Sequence, residues 1–435
     1  MLRGGRAIGR LAGRGVRLAS TTQGGRRTQG ADRTQSTAFK KKDDDQGKRL
    51  KIGTTTAVNM ATANPTYYAA RPNPKLETLG AQSAIPVHVN KVMAISTEFL
   101  ECLGEGRCPG QLGTDFGLFG KPALLYRALT QELVDRLARS AAEAGPKRAA
   151  VLDGRGGTGK SAELLKLASV GAAQGHLVVY VHSATPWVNS SRPYAPDGGD
   201  GGMFVQQELA AELLATVGTM SRAALEAVPL GRSVALGKRQ LEASGTLADL
   251  VDAGIRAPAL AQDAVDALLD VASTQTSVPV LLAVDDVNAL WCNSMYRDQE
   301  DAVLPARRLR LVHALLPFFE GGRALARGWA VGATSHTDAR FMPRDLKLRL
   351  DPPPAVPLAN AALAADPAVV RPATELPFDV VKVGRLSSTE AWALMEFYHQ
   401  TSIVASPVTE ALVAKNWIIA SGNPREMFAS VTSFS

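Results

Sequence analysis

Cysteine is scarce in this 435-residue chain, and the three present, Cys102, Cys108 and Cys292, are too few for a disulfide framework, which fits a reducing compartment. No His and no further Cys lies close in sequence to Cys102 and Cys108, so a metal site there is not expected. Every uncharged apolar run is shorter than the about eighteen residues a spanning helix requires, so the chain reads as soluble with no membrane span. Repeat periods and heptad runs are missing, which excludes solenoids and coiled coils. Acids are missing from the start of the chain: none precedes Asp32.

That last absence explains the formal charge of +7. Residues 1–42 carry 11 basic side chains against Asp32 alone, a net of +10, which leaves −3 for the remainder. The body is therefore not basic, and long-range attraction to a polyanion is excluded as its organising force. Arg3, Arg6, Arg10, Arg14 and Arg17 recur at three- and four-residue steps along one side of a helix, with Ile8, Leu11 and Leu18 on the opposite stripe and Ser20, Thr21 and Thr22 following. This composition predicts a mitochondrial transit peptide over 1–35, a disordered basic tail being the alternative. Residues 36–120, mixed in character, read as an extended N-terminal arm with little core of its own.

The strongest motif is Gly154-Arg155-Gly156-Gly157-Thr158-Gly159-Lys160-Ser161, a complete P-loop. Its backbone N–H groups suit α and β phosphates, the Lys160 ammonium suits the β and γ phosphates, and the Ser161 hydroxyl suits Mg²⁺. The context is right: Lys147 to Leu152 reads as a buried strand and Ala162 to Ala173 as a helix. Ahead of them, Pro122 and the leucines at 125, 129, 133 and 137 predict a helix leading into that strand.

Further strands are expected at His176–Val181, Pro279–Val284, Trp329–Thr334 and Phe378–Val383. Helices are expected at Gln206–Val228 and Ala259–Val271, with an unassigned insertion between them. Strands alternating with helices imply a mostly parallel sheet covered on both faces. The strand at 279–284 delivers Asp285 to its carboxyl end, where a P-loop site holds the second side of the Mg²⁺ shell. Its neighbour Asp286 is the candidate to orient and deprotonate a water if the site hydrolyses its nucleotide. Thr334-Ser335-His336 ends the next strand, and Ser335 is the candidate polar contact for a γ phosphate. Ser387-Ser388-Thr389-Glu390 is a capping box before a helix to Gln400, a second helix spans Thr409–Ala420, and Gly422-Asn423-Pro424-Arg425 would bring Pro424 or Arg425 over the nucleotide. The predicted fold class is thus α/β, a P-loop NTPase of the additional-strand (AAA+/STAND-like) type. Its nucleotide domain is placed at 121–385 and a small C-terminal helical lid at 386–435.

Over roughly residues 115–435 the chain resembles the death-associated protein three family of mitochondrial small-ribosomal-subunit proteins. The resemblance runs through Lys121-Pro122-Ala123-Leu124, the P-loop and Pro186-Trp187-Val188. It is sharpest at Leu281-Leu282-Ala283-Val284-Asp285 with Asn288-Ala289-Leu290-Trp291, and continues at Leu311-Val312-His313 and Asn423-Pro424. It implies a ribosomal protein rather than an enzyme, holding GTP/GDP or ATP with Mg²⁺ and touching small-subunit rRNA, protein neighbours and the large subunit. It also implies Lys160 and Ser161 as phosphate and Mg²⁺ ligands and Asp285 as the second metal-shell residue. Many family members carry Gly where this chain has Asp286, so hydrolysis is more open here. The Asn-Lys-x-Asp motif that reads guanine is missing, so base identity rests on the resemblance. With a body of net −3, rRNA contacts are expected from local patches, Arg307, Arg308 and Arg310, and Arg340, Arg344, Lys347 and Arg349. The alternative is a free-standing signalling or remodelling ATPase of the matrix.

Overall fold

A computed structural model describes residues 74–80, 88–104, 107–198, 202–351 and 377–432, so the basic leader at 1–35 and residues 36–73 lie outside the described residues. The strands that position the site are β1 (Lys91–Ala94), β2 (Ala123–Tyr126), β3 (Ala150–Asp153), β4 (Leu177–Val181), β5 (Val280–Asp285), β6 (Gly328–Ala333) and β7 (Asp379–Lys382). β3 to β7 form one parallel sheet in the order β7-β3-β6-β5-β4, with β6 inserted between β3 and β5. Every residue of β3, β4, β5 and β6 is buried, as a sheet covered on both faces requires, and this is why these strands are mostly Val, Leu and Ala, with Tyr180 in β4 and Gly328, Trp329 and Gly332 in β6.

The pleat divides each strand between two cores. Val151, Val179 and Leu282 face one of them, whereas Leu152, Tyr180 and Ala283 face the other. Helices α1 (Thr97–Leu103), α2 (Leu112–Phe119), α3 (Ala128–Ala142) and α4 (Lys160–Ala173) contribute to the second core. The first is filled by α5 (Gln207–Met220), α6 (Leu247–Arg256), α7 (Pro258–Thr274) and α8 (Arg310–Glu320). α9 (Arg344–Leu350) lies before β7, and α10 (Ser388–Gln400), α11 (Glu410–Ile419) and α12 (Pro424–Thr432) close the chain around a third cluster. Among the described residues no helix is long and apolar enough to cross a membrane.

Three expectations need correction. The helix predicted from Pro122 through Leu137 begins only at Ala128; before it, Ala123–Tyr126 is β2, paired antiparallel with β1 from Lys91↔Tyr126 to Ala94↔Ala123. Ala123 and Leu125 pack into the C-terminal cluster while Tyr126 enters the sheet core, and only strand alternation lets four consecutive residues serve two cores. From residue 88 onward the expected arm is folded rather than extended: Met93, Ile95, Phe99, Leu103 and Phe116 are buried in the same core as α3 and α4. The helix expected over Gln206–Val228 is broken at Ser221 into Gln207–Met220 and a short helix, Arg222–Ala227; at the break the Ser221 hydroxyl accepts the Val178 N–H of the edge strand, 2.9 Å away. The insertion after it holds a short hairpin, Val234–Leu236 with Arg239–Leu241, turned at Gly237 with φ +56°.

Candidate nucleotide site

The glycine-rich loop joins the carboxyl end of β3 to the first turn of α4. Gly154 has no room for a side chain, since a Cβ there would stand 2.5 Å from the Val383 carbonyl oxygen. Gly157 has φ +83°, and its Cβ would stand 2.6 Å from Asn423 Oδ1. Among the described residues the N–H groups of Gly156, Gly157 and Gly159 have no protein acceptor. Thr158 is turned back on the loop: its N–H and hydroxyl both donate to the Arg155 carbonyl, at 3.4 and 2.8 Å. Lys160 Nζ donates to the Gly154 and Arg155 carbonyls at 2.7 and 3.0 Å. Burial lowers its pKa, against the pull of Asp153 and Asp285.

Asp285 closes β5 buried, and the Ser161 hydroxyl stands near enough to favour its charged form, the pairing expected of a Mg²⁺ shell. Burial, and then the charge of Asp286, push its carboxyl up to about 7, with Ser161 and Lys160 opposing. One carboxylate and one hydroxyl form a set that suits Mg²⁺, an ion that keeps several waters and takes phosphate oxygens as further ligands. Among the described residues no cluster of three or more His, Cys, Asp or Glu side chains could hold a metal by itself. Asp286 is differently placed. Its backbone is left-handed, with φ +55°, and its carboxylate accepts the hydroxyls of Ser183 and of Thr185, the latter at 2.9 Å. These contacts hold the turn after β4 against the end of β5.

The end of β6 arrives beside the loop as expected. Thr334 Oγ1 donates to Asp153 Oδ1 at 2.8 Å, and the Ser335 N–H donates to Asn288 Oδ1 at 2.7 Å. Asn288, from the Asp285 to Trp291 run, is fixed in turn by donating to the Phe341 carbonyl at 2.7 Å. Asp153 also accepts from Lys382 Nζ at 2.7 Å. Burial pushes the Asp153 carboxyl up, but hydrogen bonds from His336, Lys382 and Thr334 outweigh it and hold the group well below the usual carboxylate range.

Between these parts lies a cavity of 430 Å³. Gly156 to Ser161, Ser335, Pro424 and Arg425 line it together, so most of the expected nucleotide contacts converge on one space. Gly154, Asp285 and Asp286 do not line it. The opposite wall was not expected from the sequence: it comes from α2, with Thr114, Asp115 and Leu118, and from Phe397 and Tyr398 of α10. Asp115 faces the cavity, and burial pushes its carboxyl up to about 6 against the charge of Arg425.

Arg127 was also missed. It is buried, and its guanidinium donates to Glu390 Oε1 at 3.0 Å, to the Thr158 carbonyl at 3.4 Å and to the Gly384 and Arg385 carbonyls at 3.2 and 2.9 Å. Nothing in its local sequence marks it, because its partners stand 31 to 263 residues away. The patch residues sit apart from the site. Arg310 is committed to Asp197, Asp263 and Asp266, which removes it from the exposed patch expected with Arg307 and Arg308.

The family model described as mitochondrial ribosomal death-associated protein 3 matches residues 124–430. Small ribosomal subunit protein mS29 of Schizosaccharomyces pombe is 24% identical over 349 residues, 79% of this chain and 71% of its own length. The Bos taurus protein of the same name is 27% identical over 265 residues, 59% of this chain and 65% of its own. The Mus musculus protein is 24% identical over 297 residues, 66% and 76% of the two chains.

Proposed function

The chain belongs to the mitochondrial ribosomal death-associated protein 3 family, and on that premise we propose that it is a structural component of the mitochondrial small ribosomal subunit. Its place is the mitochondrial ribosome in the matrix, and its partners are the small-subunit rRNA and proteins. Its glycine-rich loop holds a purine nucleotide, GTP/GDP or ATP, with Mg²⁺, on a nucleotide domain of the additional-strand type. Lys160 and the loop N–H groups would hold the phosphates, and Ser161 and Asp285 the metal shell. A bound Mg²⁺ there would screen the phosphate charge and order the loop.

The observation that carries a structural rather than a turnover role is the make-up of the cavity. Its walls come from the loop, the N-terminal helix α2 and the C-terminal helices at once, so a ligand filling 430 Å³ ties distant parts of the chain together. Such a ligand stabilises the native state by mass action, about 2.7 kcal/mol at a hundredfold excess over Kd. Asp286 supports the same reading, since its carboxylate is engaged by two hydroxyls.

The test is sedimentation of mitochondrial lysate with chromatographic analysis of the nucleotide extracted from the small-subunit peak. The chain is expected in that peak with nucleotide bound, and Lys160→Ala is expected to lose most affinity for nucleoside triphosphate. A chain that stays at the top of the gradient and turns over nucleotide steadily would instead be a free-standing ATPase.

A further inference from the structure

The loop carbonyls, unlike the loop N–H groups, are held from outside. Asn423 Nδ2 donates to the Gly156 carbonyl at 2.8 Å, the Arg425 N–H reaches the Gly157 carbonyl at 3.4 Å, and Arg127 reaches the Thr158 carbonyl at 3.4 Å. In a trans peptide the C=O and the following N–H point in opposite directions. Fixing those three carbonyls therefore fixes the orientation of the N–H groups of Gly157, Thr158 and Gly159. Two of these, Gly157 and Gly159, are among the donors without a protein acceptor. A nest of oriented N–H groups is an anion site, and its affinity depends on how little it must reorganise.

Asn423 is the hinge of this arrangement because its two amide atoms do different work. Oδ1 accepts the Arg425 N–H at 3.0 Å and so caps α12, while Nδ2 alone makes a hydrogen bond to the loop. Asp or Ser would cap the helix as well as Asn. Asp carries no donor for the Gly156 carbonyl, and Ser has a single Oγ, on a shorter side chain, for both tasks.

We infer that Asn423 is a positioning residue for the phosphate-binding loop: it caps α12 with one atom and sets the loop's N–H donors with the other, so docking of the C-terminal helices and nucleotide affinity are coupled. The coupling is reciprocal, as any linkage between two binding events must be: nucleotide on the loop tightens the helices, and undocked helices weaken nucleotide binding. This inference rests on the reading that the loop binds a nucleoside phosphate.

The purified full chain separates the two. Binding of fluorescent GTP and ATP analogues with Mg²⁺ is titrated for the parent chain, Lys160→Ala, Asn423→Asp and Asn423→Ser, and amide hydrogen exchange of α12 is followed with and without nucleotide. Asn423→Asp and Asn423→Ser are expected to weaken binding about tenfold while α12 keeps its protection in the nucleotide-free chain. The extra protection that nucleotide confers on α12 is expected to shrink in both variants. Parent-like affinity in both variants alongside loss in Lys160→Ala would overturn the positioning role and leave the nucleotide reading intact. A parent chain that binds neither analogue would overturn both.

Discussion

Asp286 shows how one residue's chemistry changes once its partners are known. Beside Asp285 at a strand end it has the position of a water-activating acid, and on that basis its removal should leave stability nearly untouched. The structure gives its carboxylate two hydroxyl donors, Ser183 and Thr185, and a left-handed backbone with φ +55°. Asp286→Ala therefore removes hydrogen bonds to a charged group, worth about 2 kcal/mol together, and puts a Cβ without a polar side chain at positive φ, which costs about 1 kcal/mol more. Asp286→Gly loses the same bonds but adopts that backbone freely. Urea denaturation should rank the parent chain above Asp286→Gly and Asp286→Gly above Asp286→Ala; equal midpoints for all three would mean that the carboxylate holds nothing. A Gly at this position, as the family resemblance suggests for many members, also suits the backbone, independently of any role in hydrolysis. The loop, Asp285 and Ser335 were legible because each chemistry sits at a strand end whose apolar run announces it. Arg127 and Asp153 were not, since a buried charge is defined by partners far along the chain, and neither was the second role of Asn423, which needs Gly156 across 267 residues.

Arg127 and Glu390 join elements rather than residues. Glu390 completes the capping box of α10, accepting the Ser387 N–H at 2.8 Å, and also takes the guanidinium that reaches the loop. The two side chains are only 9% and 8% exposed, so neither charge has water to fall back on. Glu390→Gln keeps the capping acceptor and removes the countercharge, leaving a buried guanidinium uncompensated at about 3 kcal/mol. The loss should appear as a lower denaturation midpoint and as protease cleavage near residues 384–387, where β7 hands over to α10. Unchanged midpoint and unchanged cleavage would show that the three carbonyl neighbours suffice. At this scale the strands of the parallel sheet were readable to within three residues, β3 starting at Ala150 rather than Lys147, because strands covered on both faces are largely apolar runs. β2 was not: Leu125 with 129, 133 and 137 fits a helical stripe, and only the antiparallel pairing with β1, from Lys91↔Tyr126 to Ala94↔Ala123, decides the matter, its alternate side chains then entering two cores.

Charge acts on the whole molecule, and it is divided between the first 42 residues at +10 and the rest at −3. For the leader, replacing Arg6, Arg10 and Arg14 by Glu reverses the basic stripe, and a reporter fused to residues 1–40 is then expected to stay in the cytosol rather than reach the matrix. For the body, a net negative surface can meet rRNA only through local cation clusters, whose contribution falls steeply with salt. The structure sorts the candidates. Arg310 is held by three aspartates, Arg307 is paired with Glu320 at 3.6 Å and Arg340 with Asp338. Arg344, Lys347 and Arg349 of α9 are exposed and have no ion pair among the described residues. Arg344→Glu with Lys347→Glu should therefore leave the fold intact and loosen the chain from the small subunit, more of it washing off in a gradient as salt is raised. Arg310→Glu should do the reverse, unfolding the chain more readily because four carboxylates would then face one another. Subunit association that ignores the α9 reversal at every salt concentration, with rRNA crosslinks mapping away from α9, would remove this helix as the contact.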